Sequence, residues 1–130
     1  AEISGMTFST KKEHIVRAML ESMAYNTKAV FDEMRKEGQR FSHISVDGGG
    51  SNNDFLLQFL ADMLNHDVVR SSTSEATVMG AIYVAMLSLK LIDKNGIVKL
   101  SSGKEVFCPN MTDADRKRNY DGWQKAIKKV

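Results

Sequence analysis

The chain is 130 residues long, 42% hydrophobic and 26% charged, with a formal charge of +2. This fits one domain with a modest core and is too weakly basic to argue for nucleic acid or an anionic membrane. No apolar run approaches the roughly 20 residues of a membrane helix, and no signal-peptide pattern opens the chain. The single cysteine, Cys108, cannot form an internal disulfide and reads as a small apolar filler beside Pro109, so a reducing compartment is expected.

In chain order, Ala1 to Phe8 show no helical period, and the start at Ala1 rather than methionine is read as a piece of a longer polypeptide. Thr10-Lys11-Lys12-Glu13 has the form of a capping box. An apolar stripe then recurs at Ile15, Met19, Met23, Val30 and Met34, widened by Val16, Leu20, Thr27 and Phe31. Gly38 provides the stop. A helix of about 26 residues would span roughly 39 Å, more than the rest of this chain obviously covers.

Arg40 to Asp47 reads as a short strand, with Ile44 and Val46 inward. It runs into Gly48-Gly49-Gly50 and then a helix from Ser51 or Asn52 to Leu64, with Phe55, Leu56, Phe59, Leu60 and Met63 inward. Glycines between a strand and a helix start let a ligand reach bare backbone beside unpaired N–H groups. The same cluster serves equally as a tight βα turn. A dinucleotide fingerprint is spoiled by Asn53 at its last glycine position, and no Gly-Lys-Ser/Thr follows for a phosphate loop.

Asp67 to Arg70 is a second short strand, and Ser71 to Ser74 a polar loop that supplies an N-cap. The next helix, Glu75 to Leu91, is apolar nearly all round and is expected to lie buried between layers. Lys94-Asn95-Gly96 reads as a turn, Ile97 to Leu100 as a short strand and Ser101 to Lys104 as another turn. Glu105 to Pro109 reads as extended. A last helix opens at Thr112-Asp113-Ala114-Asp115, carries Tyr120, Trp123, Ala126 and Ile127, and ends in Lys125, Lys128 and Lys129. The strand–helix–strand order implies a parallel pair. Two strands cannot bury these helices, so a truncated α/β domain is expected, its other strands lying earlier.

Several stretches resemble the C-terminal lobe of the FGGY carbohydrate kinases. They are Gly5-Met6-Thr7, the helix from His14 to Thr27, Val46-Asp47-Gly48-Gly49 with Asn53, Glu75-Ala76-Thr77-Val78-Met79-Gly80-Ala81, and Tyr120-Asp121-Gly122-Trp123-Gln124-Lys125-Ala126. Within the family the likeness is greatest to its glycerol kinase branch, and residues 1–130 read as part of that lobe. The resemblance implies an α/β, actin-like (ribonuclease H-like) ATPase lobe, with parallel strands and flanking helices. It also implies an ATP-dependent phosphotransferase acting on glycerol or another polyol.

By the same likeness, ATP or ADP would be met at its adenine end by Gly49 and Asn53, with Gly48 shaping the turn. Asn53 as a helix N-cap or first-turn residue is the plainer alternative. The helix bearing Glu75 and Thr77 would face the partner lobe, with Gly80-Ala81 allowing close packing. Mg²⁺, the catalytic base and the phosphate loops would come from residues outside these 130, so no catalytic or metal-ligating residue is assigned here. Asp47 reads as a turn carboxylate, and Asp113, Asp115 and Asp121 as solvated. His14, His43 and His66 lack metal-ligand spacing.

Departures from the family pattern are Gly50-Ser51-Asn52, Ser71 where proline is usual, and Met86 at a small-residue position. They leave open a kinase for another polyol, or a non-catalytic nucleotide-binding or interaction module. A cytoplasmic protein is expected, binding neither nucleic acid nor membrane, with its open sheet edge covered by a second copy or by swapped elements in a homo-oligomer.

Overall fold

The structure, a computed structural model, describes residues 2–71, 76–100 and 105–128. Its elements are helix α1 (Lys12–Lys36), strand β1 (Ile44–Val46), a 3-10 turn (Gly49–Asn52), α2 (Asp54–Leu64), β2 (Val68–Arg70), α3 (Ala76–Ser88), α4 (Lys94–Leu100), β3 (Glu105–Phe107) and α5 (Asp113–Ile127). β1 and β2 pair in parallel, Ile44 opposite Val68 and Val46 opposite Arg70. β3 adds to the other side of β2 antiparallel, Val68 opposite Phe107 and Arg70 opposite Glu105. The extended segment expected after Lys104 thus joins the sheet, which is mixed, in the order β1-β2-β3.

α2 is the centre of the core, with seven of its eleven residues buried. Leu57 and Met63 are fully enclosed, while Phe55, expected inside, is 39% exposed. Leu57, not expected inside, is buried because α1, α5 and the sheet all lie against α2. Burying a leucine in this way contributes about 1.5–3 kcal/mol. Tyr25 of α1 meets Phe59 edge-on at 5.5 Å and stacks on Trp123 of α5 at 5.7 Å. Burial first, and then the Glu21 carboxylate, push the Tyr25 phenol above its ordinary range, so it stays neutral. The last helix opens where expected: Thr112 caps α5 by accepting from Asp115 N at 3.2 Å.

Asp62 is an acidic residue inside this apolar helix. Its Oδ1 accepts from Asn110 N at 2.7 Å, Met111 N at 3.1 Å and Gln58 Nε2 at 3.2 Å. Arg116 of α5 answers from the other side, donating to the Asp62 carbonyl, to Asn65 Oδ1 and to the Met111 carbonyl. A cation at the C-terminal end of α2 also suits the helix dipole. These contacts seat the corner from Cys108 to Met111 and fix α5 against α2.

Three expectations are corrected. α1 begins one residue later than a Thr10–Glu13 box requires. Lys11 N donates to His14 Nδ1 at 3.2 Å, and Thr10 instead closes a turn with Thr7 N at 2.8 Å. The segment from Lys94 to Leu100 is helical rather than turn and strand, because the Asp93 carboxylate caps it by accepting from Gly96 N at 2.7 Å. α3 is not buried between layers: Val78, Ile82 and Val84 are 53%, 43% and 64% exposed. No other described element packs extensively on it.

The stripe on α1 divides in a similar way. Of its residues only Phe31 enters the core, joined there by Ala24 and Tyr25 from outside the stripe, whereas Val16, Met19, Met23, Val30 and Met34 remain exposed. The Ser74 cap, Glu75 and the turn from Ser101 to Lys104 lie outside the described residues. No described helix is long and apolar enough to cross a membrane.

Candidate functional site

The parallel pair delivers the chain from Val46 through Asp47 into the glycines at the C-terminal edge of the sheet, where open α/β sheets take ligands. Gly48 has φ 82° and ψ −178°, a conformation essentially restricted to glycine. Its carbonyl accepts from Ser51 N at 3.0 Å and from Ser51 Oγ at 2.7 Å. Ser51 is 2% exposed, so its hydroxyl locks the turn from inside. Sequence reasoning passed over Ser51 as one of a variable trio.

Gly49 is exposed, and a Cβ built on it would meet no atom within 4 Å. Its backbone is therefore open to a ligand. Asn53 is half-buried, with Oδ1 accepting from Leu56 N at 3.0 Å as the N-cap of α2. The plainer reading of Asn53 therefore holds, and it has a consequence. A backbone N–H can only donate, so the amide oxygen must face Leu56. The group left for a ligand is the Nδ2 donor, which makes no hydrogen bond to another described residue.

Two substitutions separate backbone conformation from access. Gly48→Ala should lower stability by about 1–3 kcal/mol, through strain rather than crowding. Gly49→Ala should melt within a degree or two of the unsubstituted chain yet bind ADP about tenfold more weakly, which calorimetric melting and an ADP titration would show. An unchanged ADP affinity for Gly49→Ala would mean that nothing approaches this glycine.

Arg70, at the end of β2, is a second residue missed in the sequence, where it reads only as the last residue of a strand. It donates to Glu105 Oε2 at 2.8 Å and to Asp54 Oδ1, and its guanidinium lies 5.1 Å from the Phe107 ring centre. Next to the turn, Arg17 lies over the Phe55 ring at 5.3 Å.

Other candidates have structural partners. His14 caps α1, His66 Nε2 lies 2.7 Å from the Phe41 carbonyl, and His43 Nδ1 lies 3.0 Å from Ser42 Oγ. Asp115 is held by Thr112 and then by Arg118, which together keep its carboxyl below the usual range. Cys108 is exposed, and the Asp67 carboxylate raises its thiol pKa. Among the described residues no three His, Cys, Asp or Glu side chains are grouped to hold a metal.

A strand, a glycine turn and a capped helix at the edge of a parallel pair define an α/β lobe with an open backbone seat. Residues 1–89 match the FGGY family of carbohydrate kinases, C-terminal domain, and the chain belongs to that family. A glycerol kinase of Thermococcus kodakarensis is 43% identical over 129 residues, covering 98% of this chain and 26% of the relative. One from Halorhodospira halophila is 41% identical over 128 residues, covering 98% of this chain and 25% of the relative. The chain thus spans about a quarter of the length of the curated relatives it matches.

The crystal structure of Plasmodium falciparum glycerol kinase with ADP superposes with a TM-score of 0.84 at 33% identity, covering 98% of this chain and 26% of that one. A xylulose kinase from Lactobacillus acidophilus shares the fold at a TM-score of 0.65 and 21% identity, covering 93% of this chain and 24% of that one.

Proposed function

We propose that the chain forms the adenine-binding part of the C-terminal lobe of a glycerol kinase-like enzyme. Such an enzyme moves the γ-phosphoryl group of ATP to a hydroxyl of glycerol or a related polyol. The observation that carries this reading is the pairing of an uncovered backbone at Gly49 with an Asn53 amide whose oxygen is committed to capping. That geometry presents a flat, side-chain-free surface and one N–H donor, which suits a purine face and a ring nitrogen. Gly48 sets the approach of the chain and Ser51 holds it.

In the reaction the polyol oxygen bonds to the γ-phosphorus as the bond to the ADP oxygen breaks, and the hydroxyl proton passes to a base. The base and the Mg²⁺ ligands belong, on this reading, to sequence beyond these residues. Mg²⁺ would supply charge neutralisation at the phosphates. The open faces of α1 and α3 would be covered by the remainder of the lobe, or by a second copy when the chain is alone.

The purified chain should bind ADP weakly and show no ATP- and glycerol-dependent turnover above background in a coupled assay. Turnover by the chain itself would overturn the division of labour proposed here, and no ADP binding at millimolar nucleotide would overturn the seat. Sedimentation of the same sample should show association as concentration rises; a monomer throughout would remove the second copy.

A further inference from the structure

We infer that Arg70 is a positioning residue for the purine seat, an inference that rests on the nucleotide reading above. Arg70 ends β2, the middle strand, and pairs in register with Val46, from which the chain runs into the glycine turn. Its guanidinium reaches in two directions, to Asp54, the first residue of α2, and to Glu105, the first residue of β3. Asp54 follows directly on Asn53. One side chain therefore ties β2, the strand paired beside the one that enters the seat, to the helix that leaves it.

The Arg70 side chain is 22% exposed and lies against the Phe107 ring, while its partners Asp54 and Glu105 are 74% and 58% exposed, so the guanidinium is seated on the sheet and its two bonds lie at the rim. A planar guanidinium can bond two carboxylates from separate elements at once, whereas an ammonium acts as a single point charge. Without this clamp, the first turn of α2 is held to the sheet edge only by its cap and packing, and the Asn53 donor loses its fixed place relative to Gly49.

The test is a cycle of variants of the chain, with ADP affinity followed by titration and the Asn53 side-chain amide followed by NMR. Arg70→Gln should weaken ADP binding about tenfold and shift the Asn53 amide signals, while Arg70→Lys recovers part of both. In an Asn53→Ala background, Arg70→Gln should cause no further loss, because its effect passes through that amide.

Wild-type ADP affinity in Arg70→Gln, or an equal additional loss in the Asn53→Ala background, would overturn the role of Arg70 and leave the seat standing. If Asn53→Ala alone leaves ADP affinity unchanged, the part of Asn53 in the seat and this inference fall together, and Gly49 alone is left to support the seat. Should Arg70→Gln lack a cooperative melt, Asp54→Ala removes the acceptor and cuts the arm of the clamp that reaches α2. It is expected to give the same loss, and an unchanged affinity there overturns the inference.

Discussion

Asp62→Ala should destabilise the chain by about 3 kcal/mol, because it removes the buried carboxylate on which two part-buried backbone N–H groups end. Asn110 N and Met111 N both end on Asp62 Oδ1, as does the Gln58 amide, and the residue is 6% exposed. Loss of the carboxylate frees the corner that leads into α5 and with it the stack of Tyr25, Tyr120 and Trp123. Total stabilities of such domains are about 5–15 kcal/mol, so the variant should be partly unfolded at 37 °C. Asp62→Asn keeps an oxygen acceptor and should cost about half as much. Urea denaturation followed by tryptophan fluorescence reads the effect through Trp123, the only tryptophan. An unchanged midpoint for Asp62→Ala would show that the corner is held by something else.

The second large effect separates the two jobs of Asn53. Asn53→Ala removes the cap and the donor together, so it should lose about 1 kcal/mol of stability and about tenfold or more in ADP affinity. Asn53→Asp keeps an oxygen for Leu56 N and places a negative charge at the start of α2, where the helix dipole favours it. It should therefore melt at or above the temperature of the unsubstituted chain, yet still lose ADP binding, since the N–H donor is gone. An Asn53→Asp variant that bound ADP normally would reduce Asn53 to a cap and leave Gly49 alone as support for the seat. Thermal melts and ADP titrations on the same samples decide between these outcomes.

The local chemistry of the seat was legible before any fold was known. Glycines between a β-branched run and an amphipathic helix define a turn whose φ values few other residues tolerate, and Gly48 has such a conformation. Asn53 could be placed at a helix start, because capping is a matter of residues a few positions apart. The errors have one cause as well. Hydrophobic period says that a face wants cover, not whether cover is supplied, so α3 read as buried and stands exposed. For α2 the same rule undercounted the cover, and Leu57 was missed.

The sequence by itself determined the two strands that flank α2 and the glycine conformation of the turn, together with a capping residue for the helix after it. Each depends on steric and hydrogen-bonding preferences acting over a few residues. Only the tertiary structure decided that β3 closes the sheet antiparallel, that Asp62 satisfies a corner 48 residues away, and that Arg70 spans Asp54 and Glu105. Those contacts join residues far apart in the chain. They exist because packing the helices against the sheet buries Asp62 and brings Arg70 beside carboxylates of two other elements, partners that no short-range preference could name.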